Sequence, residues 1–212
     1  MSGPLLIIGC GSFGREVLAL VKALNLRGGG WEILGFVDDH PTPSDLERVA
    51  LLRSRVIGNI DELRVRKQPV ASVIGVGSPK ARRLIADRLR GSAVNWAVLI
   101  HPDSTLGTEI RLGPGTVIAA GARLSTVITV GRHVHVDQNA KVGHDSSLGA
   151  FSRLNPQACV SGSVTIGEEA LIGAHATVLP GLNVGDQATV GAGAVVVSSV
   201  PAGHVVKGVP AR

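Results

Sequence analysis

A histidine beside a carboxylate can take a proton from a nucleophile near neutral pH. The 212-residue chain carries such a pair at His144-Asp145, within Val142-Gly143-His144-Asp145, where Asp145 can orient the ring. The other histidines, His40, His101, His133, His135, His175 and His204, have weaker settings. No serine or cysteine has a nucleophile setting, so direct attack assisted by a general base is the expected chemistry. A second constellation is Gly9-Cys10-Gly11-Ser12-Phe13-Gly14, which joins an apolar run to a stretch with helical spacing. Glycines so placed let backbone N–H groups approach a phosphate at a helix N-terminus. Asp38 and Asp39 follow Gly14 by 24 and 25 residues. An acid about 20 residues on is the usual ribose partner of NAD. Three readings stay open for this turn: a mononucleotide-like ligand, NAD, or a tight turn with no ligand. The first fits best, because the surrounding domain is too short for both halves of a dinucleotide fold.

Elements must hold these residues in place, and for His144 the element is a repeat. From Leu106 to Val190 an aliphatic residue recurs at every sixth position, fifteen times in fifteen chances. Glycine follows nine of them, and small residues such as Ala122, Ala140, Ala158 and Ala176 stand four places on. A period of six is the signature of a hexapeptide parallel β-helix. Three hexads close one triangular coil, so the repeat predicts about five coils, with the aliphatics inside. The glycines are expected to supply dihedrals that a Cβ resists, and the alanines to let corners close. Residues eighteen apart should stack about 4.8 Å apart. That ruler puts Gly162 one coil beyond His144. Cys159 lies within the prism and is expected to be a small buried filler rather than a nucleophile.

Residues 1–103 follow another grammar. Strands are expected at Pro4–Gly9, Trp31–Val37, Ala71–Val76 and Asn95–Ile100, with long helices at Arg15–Leu26 and Lys80–Arg90. Val56–Gly58 begins a short segment, and Asp61–Lys67 reads as a helical turn. Strand and helix alternate, which predicts a small parallel, Rossmann-like α/β domain over 1–103 and the β-helix over 104–212.

Composition narrows the partners. The net charge is +5 and the pI about 9.9, which suits anionic small molecules. Aromatic residues are 2% and tyrosine is absent, so no platform for stacking single-stranded nucleic acid is expected. No apolar stretch is long enough for a membrane span. Leu5–Ile8 reads as a strand, not a signal peptide, and two separate cysteines suggest no disulfide, so a cytoplasmic setting is expected.

Hexapeptide repeats of this kind resemble the left-handed β-helix acyltransferases, which are usually trimers with acetyl-CoA held between neighbouring prisms. The ending Val200–Arg212 looks like the tail that closes such helices. The whole chain resembles the PglD/NeuD-type sugar acyltransferases. The stretches that carry the likeness are Ile7–Glu16, Gly35–Asp39, Ile74–Ser78, Gly143–Gly149 and the Gly-Val-Pro-Ala ending. The resemblance implies that the first domain holds a nucleotide-sugar through Gly11, Ser12, Phe13, Gly14, Asp38, Asp39 and Gly77. It implies that His144 is the base, Asp145 its partner, and the Gly162 N–H both an oxyanion donor and a cofactor contact. Ala174 and Ala192 match backbone positions that touch CoA in relatives. Arg153 stands where many relatives have a second histidine, and would pair with a phosphate or an acceptor carboxylate.

The implied activity is acetyl-CoA-dependent N-acetylation of a nucleotide-linked 4-amino sugar, in surface glycan or glycoprotein sugar biosynthesis. Sugar O-acetylation of the sialic acid type is the alternative. A homotrimer with sites between subunits is implied too. Some hexapeptide prisms are zinc carbonic anhydrases, but His133, His135 and His175 do not follow their ligand pattern, so no metal is expected and solvated corners are expected there instead. A non-enzymatic scaffold is the remaining alternative.

Overall fold

The structure is a computed structural model that describes residues 3–212. Two compact units divide between Leu99 and Ile100. The expected division at 103/104 lies slightly later, because the His101 N–H already donates to the Ile118 carbonyl at 2.8 Å within the second unit.

The first unit runs β1 (Gly3–Ile8), α1 (Ser12–Leu26), β2 (Trp31–Val37), α2 (Pro43–Leu51), β3 (Val56–Gly58), α3 (Ile60–Val65), β4 (Val70–Ile74), α4 (Pro79–Arg88) and β5 (Val94–Trp96). Its strands are parallel in the order β3-β2-β1-β4-β5. Chain order therefore reverses between β1 and β4, and ligands of open α/β sheets bind beyond the strand ends at such a switch. Ile8, Val37, Leu63 and Ile74 are buried in the core of this unit. The helix α2 is absent from the sequence expectations. Its signal is Thr42-Pro43-Ser44-Asp45: Pro43 opens the helix, and the Thr42 side chain accepts the Asp45 N–H at 3.1 Å. The strand expected over Asn95–Ile100 is split into β5 and a separate two-residue strand, Leu99–Ile100.

The second unit is a left-handed parallel β-helix. Its first face has six strands from Thr105–Leu106 to Val195–Val196, its second five from Ile110–Leu112 to Asn183–Val184, and its third seven, ending at Val205–Val206. Paired residues are offset by eighteen throughout the repeat, as in Arg123–Lys141, Lys141–Cys159 and Cys159–Thr177. The inward aliphatics form one continuous core, in which Val136, Leu154, Ile172 and Val190 are fully buried. The corner alanines Ala140, Ala158 and Ala176 are 0% exposed.

The glycine expectation needs correction. The glycine after each aliphatic is not in the left-handed region. It is required because the next coil passes against it: a Cβ on Gly131 would lie 2.6 Å from the Ala150 nitrogen. The left-handed residue comes two places later in every hexad, as at Asn139, Asp145 and Gln157. Cys159 also departs from expectation. It occupies an outward strand position and is partly exposed, while Val160 fills the interior. No helix among the described residues is long and apolar enough to cross a membrane.

Candidate active site

The corner between the first and second prism faces stacks residues 125–127, 143–145, 161–163 and 179–181 at eighteen-residue intervals. His144 sits there because the preceding strand, Lys141–Val142, ends its hydrogen bonding at Gly143. Asp145 takes the left-handed conformation, with φ 57°, and its N–H donates to the Thr126 carbonyl at 3.1 Å. That sharp turn brings its carboxylate 2.7 Å from His144 Nδ1. A carboxylate accepts only, so Nδ1 donates to it, and in the neutral imidazole Nε2 holds the lone pair. Both side chains are open, at 61% and 55% exposure.

The imidazole leans onto Gly162. A Cβ at Gly162 would lie 2.6 Å from His144 Nε2 and 2.7 Å from Cε1. Glycine here is therefore the seat of the ring. The Gly162 carbonyl accepts the Gly181 N–H at 3.0 Å, while no described residue accepts its N–H. A base with a free lone pair thus stands beside an open backbone donor, an arrangement suited to acyl transfer.

The other expected positions scatter. Ala174 and Ala192 stack on the corner between the third and first faces, at the opposite end of the first face from His144. Arg153 lies on the third face, and the carboxylate it finds is Asp137, at 2.7 Å. Asp137 is 1% exposed, so this is a partly buried ion pair with structural work to do, and Arg153 is not brought to His144. His133 and His135 are 2% and 0% exposed, against the solvated corners expected. The ruler explains His133: Phe151 is the next residue in its stack, and their rings pair at 5.0 Å and 13°. His175 is exposed at its corner. Among the described residues, no three His, Cys, Asp or Glu side chains are grouped to hold a metal ion.

In the first unit, a cavity of about 200 Å³ opens at the carboxyl ends of β1 and β2. Ile8, Val37, Ile60, Val76 and Ile85 give it apolar walls, with Gly9, Asp38, Asp39, His40 and Arg88 at its polar positions. Gly14 and Gly75 touch across the strand ends, where a Cβ on Gly75 would lie 2.6 Å from the Gly14 Cα. Gly11 caps α1 without a side-chain bond, no acid occupies the first turn, and the space beside its Cα is open. A phosphate can approach such a helix end. Ser12 is exposed there and Phe13 is buried.

The two acids are engaged. Asp38 accepts the N–H groups of Cys10 and His40, at 2.8 and 2.9 Å, and so braces the loop. Asp39 accepts the Ile60 N–H at 2.8 Å and pairs with Arg88. Burial pulls the Asp39 carboxyl up, but Ile60 and Arg88 outweigh it and hold the group below its ordinary value. Gly77 lies beyond the cavity lining and gives its carbonyl to the buried Arg82 at 2.9 Å; Val76 is the lining residue. Sequence reasoning missed Arg88 and Arg15. Arg15 ties the glycine loop to α2 through the Cys10 carbonyl, at 2.9 Å, and Asp45, at 2.7 Å.

Cys10 is fully buried in this loop. Desolvation, then the adjoining Asp38 carboxylate, push its thiol up to about 12. It should resist a thiol reagent such as DTNB at pH 8 until the chain unfolds. The native protein is expected to release at most one equivalent of thiol and the denatured protein two. Two equivalents released promptly from native protein would mean that the loop opens.

Comparisons with known proteins bear on both units. A family model of the PglD N-terminal domain matches residues 4–89, and one of the hexapeptide repeat of succinyl-transferase matches residues 163–198. No curated protein sequence matches the chain significantly. Among solved structures, the acetyltransferase domain of PglB from Neisseria gonorrhoeae FA1090 in complex with acetyl coenzyme A is 33% identical, with TM-score 0.88 over 100% of this chain and 99% of that one. PerB from Caulobacter crescentus, in complex with CoA and GDP-perosamine, is 29% identical, with TM-score 0.86 over 99% of this chain and 96% of that one. WeeI from Acinetobacter baumannii AYE shares the fold at 23% identity, with TM-score 0.75 over 100% of this chain and 99% of that one. Likeness of this extent runs through the α/β unit and the prism alike, and the chain belongs to the PglD/NeuD-type family of hexapeptide-repeat sugar acyltransferases.

Proposed function

We propose that the protein transfers the acetyl group of acetyl-CoA to the amine of a nucleotide-linked amino sugar of the 4-amino type. The observation that carries this reading is the His144–Asp145 pair, 2.7 Å apart, with the ring seated on Gly162. His144 Nε2 takes the proton from the attacking amine, and Asp145 holds the ring. The N–H of Gly162 stabilises the oxyanion of the tetrahedral adduct, whose collapse expels the CoA thiolate. The ligands of PerB, CoA and GDP-perosamine, and of the PglB domain, acetyl coenzyme A, support the two substrates.

The nucleotide-sugar is assigned to the cavity of the first unit. Its diphosphate lies on Gly11–Gly14 at the start of α1, and its nucleoside over the apolar walls near Asp38 and Asp39. Gly77 shapes the adjoining loop, and its carbonyl is already taken. Acetyl-CoA is assigned to Gly162, Ala174 and Ala192. Arg153 is left out of this set because Asp137 already holds it. The alanine corner and the His144 corner stand a full face apart, which supports cofactor sites shared between copies of the chain in a homotrimer. A monomeric native mass would remove that arm. The cytoplasm, where acetyl-CoA and nucleotide-sugars are made, is the fitting location, and surface glycan or glycoprotein sugars the fitting product.

The test is thiol release from acetyl-CoA with a panel of UDP-, GDP- and dTDP-linked 4-amino sugars. Turnover with one of them is expected. Silence on all of them, with turnover on hydroxyl acceptors such as free sialic acid, would establish O-acetylation instead. No transfer to either class would overturn the reading.

A further inference from the structure

The fourth residue of every hexad is left-handed, from Glu109 to Gly193. Glycines and side chains unbranched at Cβ fill these positions, with one exception among the described residues. Val127 has φ 56° and is branched at Cβ, the side-chain type least suited to that conformation. It is also 55% exposed, so the core does not compensate it. Neither local preference nor packing accounts for a strained, solvent-facing valine. Strain that the fold does not require collects where a side chain is used.

Its place supplies a use. The register sets Val127 one rung before Asp145, and the carbonyl of its neighbour Thr126 accepts the Asp145 N–H at 3.1 Å. His144 leans the other way, onto Gly162, which is followed one rung later by Pro180. The assigned donor contacts, Gly162, Ala174 and Ala192, all belong to coils after His144. A donor that occupies the later coils leaves the earlier side of the imidazole to the acceptor, and on the rung before His144 the register places Thr126 with the exposed Val127 next to it.

We infer that Val127 is a specificity-determining residue that touches the acceptor, an inference that rests on the acetyl-transfer reading above. Its isopropyl group is the wall against which an apolar edge of the amino sugar rests, a run of ring C–H groups or a deoxy carbon beside the amine. That contact aims the amine at His144 Nε2. A polar substituent at the same edge would have to shed water against the valine, which disfavours it.

The experiment compares wild type with Val127→Asn and Val127→Gly, using acetyl-CoA and the best acceptor from the 4-amino-sugar panel. Asparagine and glycine both accept the left-handed conformation. Both variants are expected to melt no lower than wild type. The KM for the acceptor should rise by about tenfold or more, the scale of a lost apolar contact, with the KM for acetyl-CoA within about twofold of wild type. Unchanged acceptor kinetics in both variants would overturn the assignment. So would a rise in the acetyl-CoA KM alone, which would place Val127 on the donor. A lower melting temperature or a smaller native mass would assign the side chain to the fold or to contacts between copies, and would overturn it as well. Wild type that acetylates no acceptor removes the underlying reading together with this one. Wild-type turnover beside unchanged variants removes Val127 alone.

Discussion

His144→Ala is expected to lower kcat for acetyl transfer by about a thousandfold, close to 4 kcal/mol of transition-state stabilisation. The KM values of both substrates should barely move. The ring makes its one hydrogen bond to Asp145 and is 61% exposed, so little of the fold depends on it, and the melting temperature should stay at the wild-type value. Residual turnover is expected, because alignment of the substrates and the open Gly162 N–H survive the substitution. Asp145→Asn separates orientation from charge. Asparagine accepts the left-handed φ of 57°, so the corner keeps its shape while the carboxylate is lost. An amide can present its N–H to Nδ1 and turn the ring to the wrong tautomer, so kcat should fall by about tenfold to a hundredfold. Wild-type kcat in His144→Ala, measured by thiol release, would remove the histidine from the mechanism. A loss matched by unfolding in circular dichroism would reduce it to a structural residue.

Gly162→Ala carries the second large effect and distinguishes two roles for one glycine. The substitution keeps the backbone N–H. If that donor were the whole of its role, alanine would serve nearly as well. The added Cβ would stand 2.6 Å from Nε2, a separation that real side chains do not tolerate, so the imidazole must swing off its seat. Backbone is not in the way, and the ring is exposed and free to move, so the cost falls on geometry and not on stability. A misplacement of about 1 Å at a reacting group costs on the order of a hundredfold in rate. We expect a kcat loss of that size, with a melting temperature close to wild type. The double variant His144→Ala/Gly162→Ala should be scarcely slower than His144→Ala, because the second substitution acts through a ring that is already gone. Additive losses in that double variant would show that the added methyl acts independently of the ring, and a wild-type rate in Gly162→Ala alone would return Gly162 to the role of donor alone.

Much of this site can be derived by counting. A period of six, unbroken from Leu106 to Val190, specifies the coil, and the coil specifies that residue 162 stacks on residue 144. Each hexad meets only its neighbours, so one local rule propagates along the whole prism without help from distant chain. The glycine loop is equally local: strand, turn and helix are contiguous from Gly3 to Leu26. Other features depend on which distant side chains meet, and no period encodes that. The lean of His144 toward the later coil was beyond counting, and so was the reason for the glycines, which proved to be close passage of the next coil and not unusual dihedrals. The sequence shows Asp38 and Asp39 as free acids, yet folding commits them to the N–H groups of Cys10, His40 and Ile60 and to Arg88. Arg153 reads as a free cation until the third face sets it beside Asp137, sixteen residues away in the chain. Rung and register follow from the covalent order of residues, because a repeat is a one-dimensional object. Partner, burial and direction belong to the three-dimensional packing, where each side chain is desolvated by neighbours that the order of residues does not name.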